Sequence, residues 1–550
     1  MPELEHLTPA AISPLATQHM VRMRDGVRLA TDVYLPDEDA GDTILIRLPY
    51  DKNGEYTFIS TIAEYFMRRD YRVVAQDVRG KFRSEGEALL AVNEVNDGYD
   101  TLEWITQQPW SNARVAMWGD SYYGFTQWAA AASGHPALKA IAPRVTGTHL
   151  GEPVIRDTES RVSDVEMGIT RMYPLTHFVH GDTYLWEPDW SRRDFAAQAE
   201  EFMEQIGTRS LSYDQLVPHP LPLRRFPEGT AFAGRSIPVL HTIGWWDNIA
   251  PPAWADVAEL ASYPSWNAQH YLRIESIDHE NHTLLESPED RVETRTPEQL
   301  AAMMPAYLDP ALEFFEVFVR GVGVPSDVPR VLWNLAGTEE FRTGEVWPPC
   351  GARASRLHAG PDGSLGVDQV HAEGTVSWTH DSLDPVPSSV EDAFSYLREF
   401  PDEAPLGERD DVVVFTSQRQ TANVELAGPV TATLRFSSTG PVADCFLRLL
   451  DVRPDGSALR IARGQIQLRD ATQAATVHVD LGQVGYLLRA GHRLRLHVSS
   501  TDYPEFLPQP GTGADPWSHG SVTEPNQQTV VLGGGDGLVL EVPVLAGELS

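Results

Sequence analysis

The stretch Val115-Ala116-Met117-Trp118-Gly119-Asp120-Ser121-Tyr122-Tyr123-Gly124 decides the fold. Residues 115–118 predict a short buried strand, and the small-residue run 125–133 predicts a helix. Ser121 therefore lies on a strand-to-helix turn, which lifts its hydroxyl out of the sheet and directs the first backbone N–H groups of the helix toward the same space. This arrangement is typical of a catalytic serine with an oxyanion site. A Gly-x-Ser tripeptide alone is weak support, because residues 234–236 also contain one.

Strands and helices alternate on both sides of this turn. Before it, Asp25-Gly26 predicts the turn of a β-hairpin. Further predicted strands cover 43–48, 72–76, 138–142, 237–243, 270–274 and 330–335, and further predicted helices cover 58–69, 97–107 and 312–319. Alternation with nearly continuous apolar strands predicts an α/β fold on a parallel sheet covered on both faces. Ligands bind at the carboxyl ends of such strands, where Ser121, Tyr50 and Asp77 fall.

Two segments depart from this alternation. Residues 146–235 are rich in charge, aromatics and proline, and they predict an inserted helical cap with a helix at 194–206. After residue 350 short alternating strands predict an antiparallel, jelly-roll-like sandwich. Its predicted strands include 412–416, 430–436, 445–452, 475–481, 492–499 and 538–544. The expected division is a first core half (1–145), a cap (146–235), a second core half (236–350) and a β-sandwich (351–550).

Composition excludes several function classes. The 550 residues include 43 basic and 78 acidic side chains, a net charge of −35 that would repel nucleic acids and anionic membranes. No long apolar stretch predicts a membrane span, and the acidic N-terminus lacks the basic region of a signal peptide. Two cysteines are too few for a disulfide framework. We therefore expect a cytoplasmic protein that binds neither nucleic acid nor membrane.

A serine nucleophile needs a base, which is commonly an imidazole oriented by a carboxylate. In this type of sheet the chain order is Ser, then Asp, then His, each after a strand end. Asp247 and His279 meet this rule because each follows a predicted buried strand. Asp278 and His282 lie in reach of the same loops. Asp278 is adjacent to His279 in the sequence, so its side chain is poorly placed to contact the His279 ring. His282 remains a second candidate for the base.

Several further motifs accompany these residues, in an order and spacing that cover nearly the whole chain. They are Leu48-Pro49-Tyr50-Asp51-Lys52, Gln76 to Gly86, Asp97-Gly98-Tyr99-Asp100-Thr101, Gln108-Pro109-Trp110-Ser111-Asn112, Gly119 to Gly124, Gly244-Trp245-Trp246-Asp247, and the segment Glu339 to Pro348. Together they resemble the cocaine esterase family of α/β-hydrolases, which is related to the X-Pro dipeptidyl-peptidases. The family pattern Gly-x-Ser-Tyr-x-Gly explains why the second glycine is Gly124.

The resemblance implies a role for each matching position. Ser121 would be the nucleophile, Asp247 the orienting acid and His279 the base. Tyr50 would donate its hydroxyl to the oxyanion, together with the backbone N–H of Tyr122. Asp278 stands beside the base, where its carboxylate could raise the pKa of His279. Five aromatic residues are candidates to line the substrate pocket, although tryptophans at this density more often pack in the core: Tyr123, Trp186, Trp190, Trp245 and Trp246.

The implied activity is hydrolysis of carboxylic esters through an acyl-enzyme intermediate, without a metal or organic cofactor. The substrate would be a small-molecule ester or amide, and a homo-oligomer is compatible with the sequence. One alternative is an amide-cleaving enzyme, either an X-Pro dipeptidyl-peptidase or an α-amino acid ester hydrolase or β-lactam acylase. It would recognise an amine through acidic cap residues such as Asp157, Glu159, Asp164 and Glu166. An alternative of another class is a non-catalytic carbohydrate-binding protein.

Overall fold

The first part of the chain alternates strands and helices in the computed structural model, which describes residues 4–36, 39–150, 160–161, 168–217, 221, 224–284, 286, 291, 295–338, 340–389 and 401–550. Its elements are β1 (Glu5–Leu7), β2 (Thr17–Arg22), β3 (Arg28–Tyr34), β4 (Gly41–Leu48), α1 (Ile59–Met67), β5 (Arg72–Asp77), α2 (Glu94–Thr106), β6 (Ser111–Asp120), α3 (Ser121–Ala132) and β7 (Leu138–Arg144). The predicted hairpin is confirmed, since β2 and β3 pair antiparallel across Asp25-Gly26.

An insertion separates β7 from the next strand of the same sheet. Its described elements are β8 (Ser160–Arg161), α4 (Tyr173–Thr176), β9 (Thr183–Leu185), α5 (Phe195–Ile206) and α6 (Leu211–Leu216). The chain continues with β10 (Val239–Gly244), α7 (Ala250–Leu260), α8 (Pro264–Asn267), β11 (His270–Glu275), α9 (Pro297–Phe315), β12 (Val331–Leu335) and β13 (Glu340–Gly344). Because β10 pairs directly with β7 in parallel, the insertion interrupts the sequence of the sheet and not the sheet itself.

The central sheet has ten strands in the order β13-β12-β11-β10-β7-β6-β4-β5-β3-β2. Strands β4 to β7 and β10 to β12 pair in parallel, and antiparallel strands flank them at both ends. Side chains alternate between the two faces of β4, so that Leu45 packs in the cluster with α2, α3 and the insertion, whereas Ile44 and Ile46 pack in the cluster with α1 and α9. Both faces are buried, as the apolar strands predict.

Helix α9 is longer than its sequence predicts. The predicted range 312–319 covers only its end, because Pro305 and Pro310 lie inside the helix and hide its start. Proline normally ends a helix, since it removes one backbone hydrogen bond and clashes with the preceding turn. A capping box at Thr296 and Gln299 fixes the start of α9, and Tyr307, Leu308, Phe314 and Phe315 bury its inner face. The helix covers the sheet beside the Ser121 turn.

The C-terminal part is an antiparallel β-sandwich, as predicted. Its strands are β14 (Arg353–Ala359), β15 (Leu365–Gly366), β16 (Gly374–His380), β17 (Val413–Thr416), β18 (Val424–Ser438), β19 (Ala443–Val452), β20 (Ala458–Leu468), β21 (Ala475–Leu488), β22 (Arg493–Ser499), β23 (Asn526–Leu532) and β24 (Val539–Ala546), with α10 (Pro516–His519) before β23. One sheet has the order β15-β14-β24-β18-β23-β16 with β21 also on β18, and the other has the order β17-β22-β19-β20-β8. The insertion therefore contributes β8 to the sandwich.

The sandwich also contacts both other parts of the chain. Trp246 donates its indole N–H to the backbone oxygen of Arg460 at 3.0 Å, and Trp517 donates to the Tyr213 hydroxyl at 2.9 Å. The division at residues 145, 235 and 350 stays a prediction. Within the described ranges, no helix combines the length and the apolar character needed to cross a membrane.

Candidate active site

The turn between β6 and α3 presents Ser121 as the sequence predicts. Ser121 is the first residue of α3 and has a φ of +51°, which L-residues adopt only under strain. Gly119 has a φ of +150°, and a Cβ there would lie 2.1 Å from the Tyr123 ring. A Cβ at Gly124 would lie 2.6 Å from Cγ2 of Thr146. The two glycines therefore allow the tight turn and the close packing of α3 on the chain that follows β7.

Asp247 and His279 meet beside this turn although 32 residues separate them. Asp247 follows β10, His279 follows β11, and these neighbouring parallel strands bring His279 Nδ1 within 2.7 Å of Asp247 Oδ1. The Asp247 side chain is fully buried. Burial lowers the pKa of His279, but the carboxylates of Asp247, Glu280 and Asp120 outweigh this effect and raise it to about 9. A buried carboxylate thus orients the ring and stabilises its protonated form.

The two competing residues lie elsewhere. The Asp278 carboxylate accepts the backbone N–H of His282 at 2.8 Å, so it caps its own loop instead of contacting the His279 ring. Burial raises the pKa of Asp278 well above its usual range, against the opposing effects of the His282 N–H and the charge of His279. His282 bonds through Nδ1 to Glu286 at 2.9 Å. Of the two histidines, only His279 faces the Ser121 turn.

Ser121 and His279 line the same small cavity of about 40 Å³, which we name the catalytic cavity. Tyr50, which follows β4, lines it as well. Burial raises the pKa of Tyr50 to about 12, and hydrogen bonding to the hydroxyls of Tyr173 and Ser121 opposes that rise. Tyr50 therefore keeps its proton near neutral pH and can donate it in a hydrogen bond.

Tyr122 contributes its backbone, while its side chain points into the core. The Tyr122 hydroxyl accepts the N–H of Ala91 at 2.9 Å and donates to Glu94 at 3.0 Å. Glu94 in turn forms a buried ion pair with Arg47 at 2.8 Å. The backbone N–H of Tyr122 lies in the first turn of α3, where helical N–H groups have no carbonyl partner within the helix. The buried side chain thus fixes an N–H donor next to Ser121.

A network around Asp120 also belongs to the site, and sequence reasoning missed it. Asp120 Oδ2 accepts hydrogen bonds from Asn281 at 2.9 Å and from the Tyr307 hydroxyl at 2.8 Å. Asp120 Oδ1 pairs with Arg144 at 3.2 Å, and Arg144 donates to Asn281 at 2.7 Å. The position of Asn281 two residues after His279 was the available signal. The network ties the serine turn to the histidine loop.

The cap tyrosine Tyr173 was missed as well. Its hydroxyl lies 2.9 Å from the Tyr50 hydroxyl, and its ring stacks on His177 at a centroid distance of 5.0 Å. Nothing in the cap sequence singled it out, because only the folded insertion brings α4 over the end of β4. The acidic cap candidates Asp157, Glu159, Asp164 and Glu166 lie outside the described residues.

Of the five aromatic residues expected to line the pocket, Tyr123 lines the catalytic cavity. The tryptophans pack elsewhere, which corrects the expectation for them. Trp186 stacks on Phe202 inside the cap, and Trp190 packs against Tyr503 of the sandwich. Trp245 donates to Asn334, and Trp246 donates to the sandwich. The last two anchor the loop that leads to Asp247.

Comparisons with known proteins show the family of the chain. Residues 25–279 match the family model of the X-Pro dipeptidyl-peptidases (S15 family), and residues 323–539 match the X-Pro dipeptidyl-peptidase C-terminal non-catalytic domain. The cocaine esterase of Rhodococcus sp. (strain MB1 Bresler) is 29% identical over 547 residues, which cover 91% of this chain and 93% of that protein. The chain belongs to the cocaine esterase-like, X-Pro dipeptidyl-peptidase-related α/β-hydrolases. It is a serine hydrolase.

Solved structures show the same fold at lower sequence identity. An aminopeptidase from a marine sediment Thaumarchaeota archaeon superposes with a TM-score of 0.80 at 20% identity, covering 98% of both chains. An α-amino acid ester hydrolase superposes with a TM-score of 0.79 at 20% identity, also over 98% of both chains. Both confirm the α/β core followed by an all-β domain. Membership of a family of enzymes leaves the non-catalytic, carbohydrate-binding interpretation without support.

The Asp120 network leads to a first prediction. Asn281 has a φ of +63°, so Asn281→Gly removes the amide bonds to Asp120 and Arg144 without straining the backbone. We expect this variant to lose roughly tenfold or more in kcat/KM for a p-nitrophenyl ester, because the histidine loop is no longer fixed to the serine turn.

The matched control is Asn112→Ala, whose amide bonds Asp42 at 2.9 Å near the opposite end of β6. It should retain nearly full activity. A folded Asn281→Gly protein with unchanged kcat/KM would show that the network does not position the site.

Proposed function

We propose that the protein hydrolyses carboxylic esters, with Ser121 as nucleophile, His279 as general base and Asp247 as the acid that orients His279. One observation carries the proposal: Ser121 and the Asp247-bound His279 line one cavity at a strand-to-helix turn. The order Ser, Asp, His along the chain and the cocaine esterase relative support the same assignment. The more general conclusion, that the protein is a serine hydrolase, rests on its family and does not depend on these residue assignments.

The reaction follows from the arrangement of these groups. Neutral His279 takes the hydroxyl proton of Ser121 as Oγ attacks the ester carbonyl carbon, and Asp247 stabilises the imidazolium that forms. The tetrahedral intermediate collapses when His279 returns the proton to the leaving alkoxide, which releases the alcohol and leaves Ser121 acylated. Water then attacks the acyl carbon while His279 accepts its proton. Breakdown of this second intermediate releases the carboxylic acid and restores the Ser121 hydroxyl.

The oxyanion of each tetrahedral intermediate needs donors that are in place before it forms. We assign this role to the Tyr50 hydroxyl and the backbone N–H of Tyr122. The raised pKa of Tyr50 supports donation, because the phenol stays protonated at the pH of the reaction. If Tyr173 donates to the Tyr50 oxygen, the Tyr50 proton is free to point toward the substrate.

Amide hydrolysis is the second candidate, and the match of residues 25–279 to the X-Pro dipeptidyl-peptidase model favours it. The acyl-enzyme chemistry is the same, but an amine leaving group requires earlier protonation by His279. Comparing the rates of p-nitrophenyl esters and X-Pro-p-nitroanilides on the same protein separates ester from amide hydrolysis.

We further propose small-molecule substrates and a cytoplasmic location, with which the free thiols of Cys350 and Cys445 are compatible.

Intact-protein mass after treatment with a fluorophosphonate tests the nucleophile. We expect one adduct on the parent protein and none on Ser121→Ala, because only a serine activated by a base reacts rapidly. Ser236→Ala is the matched control, since Ser236 ends the second Gly-x-Ser tripeptide. A folded parent protein without an adduct, or an adduct that survives in Ser121→Ala, would refute the assignment.

The oxyanion assignment predicts that Tyr50→Phe lowers kcat by roughly 10²- to 10³-fold, the usual effect of removing one oxyanion donor. The fluorophosphonate adduct should still form, since Ser121 and His279 remain. Tyr263→Phe serves as the control, because Tyr263 lies between α7 and α8 and does not line the catalytic cavity. Equal kcat values for Tyr50→Phe and the parent would contradict the assignment.

The pH profile tests the electrostatics of His279. As a base His279 must be neutral, so kcat/KM should rise with pH through an acid limb well above pH 6.5, set by a pKa of about 9. Glu280→Gln removes one of the carboxylates that raise this pKa, and it keeps an acceptor for the Tyr56 hydroxyl. Its limb should therefore move to lower pH, whereas that of the control Glu55→Gln should not. An unshifted limb in Glu280→Gln would exclude this effect.

A further inference from the structure

A groove of about 680 Å³ lies beside the catalytic cavity and is far larger than it. The groove runs between α1 and the first turns of α9, and the loop before α1 closes one end. The catalytic cavity, at about 40 Å³, has room for little beyond the reacting ester group. The remainder of any substrate must therefore extend out of it.

The groove and the catalytic cavity share three lining residues: Tyr56, Phe58 and Arg295. Tyr56 and Arg295 both contact Glu280, the residue after His279. Tyr56 donates its hydroxyl to the Glu280 carboxylate at 2.8 Å, and Arg295 Nη2 donates to the Glu280 backbone oxygen at 2.8 Å. The wall that the two spaces share therefore lies on the His279 side of Ser121.

This side determines which half of the ester the groove can hold. His279 gives its proton to the leaving oxygen, so the alcohol portion of the substrate must lie on the His279 side. The acyl portion points away from it. The groove consequently continues from the position of the leaving alcohol, provided that the function proposed above is correct.

Arg295 brings a positive charge to this shared wall, and, against the opposing effect of burial, that charge adds to the hydrogen bond of His282 in lowering the pKa of Glu286. Arg295 Nη2 also lies 3.2 Å from both nitrogens of the His282 ring, which fixes the guanidinium. Within the described residues Arg295 forms no ion pair, and its Nε and Nη1 atoms make no hydrogen bond. Arg68, also on the groove, differs in this respect, because Glu64 neutralises it at 2.6 Å and its side chain is 67% exposed. The two arginines thus present different charges to a ligand.

We propose that the groove binds the alcohol portion of the substrate and that Arg295 recognises a carboxylate on it. Nη2 is engaged by Glu280 and His282, so Nε and Nη1 remain as donors, and each can give one charge-assisted hydrogen bond to a carboxylate oxygen. The preferred substrates are then esters of alcohols or phenols that carry an acidic group. The carboxylate of Glu280 is the opposing feature, since it would favour a cationic alcohol. Tyr56 already occupies one of its oxygens.

Three acetate esters with one acyl group and different phenols test the proposal: 4-acetoxybenzoate (anionic), methyl 4-acetoxybenzoate (neutral) and 4-acetoxyphenyl-trimethylammonium (cationic). The measured quantity is kcat/KM for each ester, corrected for its rate of alkaline hydrolysis. We expect the parent protein to prefer the anionic ester to the neutral one, and the neutral one to the cationic one. A cationic preference would overturn the proposal and assign selectivity to Glu280.

The variants identify the residue responsible. Arg295→Gln should reduce the ratio of anionic to neutral kcat/KM by roughly tenfold or more, the effect of one charge-assisted hydrogen bond. Arg295→Lys should keep part of the ratio, Arg68→Gln should change it less than Arg295→Gln does, and Arg114→Gln, near the opposite end of β6, should leave it unchanged. An unchanged ratio in folded Arg295→Gln, or a collapse in Arg68→Gln alone, would overturn the assignment.

The fluorophosphonate reaction distinguishes a failure of the proposed ester hydrolysis from a failure of the proposed role of Arg295. A parent protein that forms the Ser121 adduct but shows no preference among the three esters refutes the role of Arg295 only. A folded parent protein that forms no adduct refutes the proposed function and the groove assignment with it. Adduct formation by Arg295→Gln confirms that its serine turn remains intact.

Discussion

The carboxylate of Asp120 holds together segments of the chain that the proposed reaction requires in one place. Asp120 is the last residue of β6, and it receives hydrogen bonds from the histidine loop through Asn281 and from α9 through Tyr307. Arg144, at the end of β7, supplies its counter-charge. A buried carboxylate is costly unless it is paired and hydrogen-bonded, so these partners are required for stability as well as for position. Loss of the Asp120 carboxylate would leave Glu275, at 3.6 Å, as the carboxylate that pairs with Arg144 in the described part of the chain.

Buried ion pairs lie next to both proposed oxyanion donors. Lys52, two residues after Tyr50, is fully buried and bonds Asp77 at the end of β5 at 2.6 Å. The pair of Arg47 and Glu94 holds the hydroxyl of Tyr122. Such pairs contribute little net stability relative to apolar residues, but an unpaired member would be strongly destabilising. They consequently permit few alternative positions for the two donors.

The β-sandwich also helps to hold the site residues in position. Trp246 hydrogen-bonds the sandwich backbone and is the neighbour of Asp247, so the sandwich helps to fix the loop that carries the orienting acid. On the other side, the Tyr503 hydroxyl donates to the backbone of Trp190 in the cap at 2.5 Å. The sandwich thus contacts the α/β core and the cap at once. A domain without a proposed reacting residue therefore supports the geometry of the site.

Local periodicity and turn chemistry were sufficient to predict much of this protein. The apolar strands, the hairpin at Asp25-Gly26, the turn at Ser121 and the shift to short alternating strands follow from the chemistry of adjacent residues. Helix α9 was the exception, because Pro305 and Pro310 mask a helix that its packing on the sheet stabilises. Strand order likewise came only from the fold, which places β10 against β7 across an insertion.

The residue types and order of the site were also readable from the sequence, since Ser121, Asp247 and His279 each follow a predicted strand. Chain order alone left His282 open beside His279, and the family resemblance chose His279. The structure gives the physical reason, since the His279 ring is the one that reaches Asp247 when β10 and β11 pair. The sequence did not predict that Tyr173 lies above Tyr50 or that a network surrounds Asp120. It also did not predict which tryptophans pack against the sandwich instead of lining a pocket. The sequence determined which groups are present and which strands carry them. Only the tertiary structure decided which of them meet, because contacts between distant segments depend on packing that no local pattern encodes.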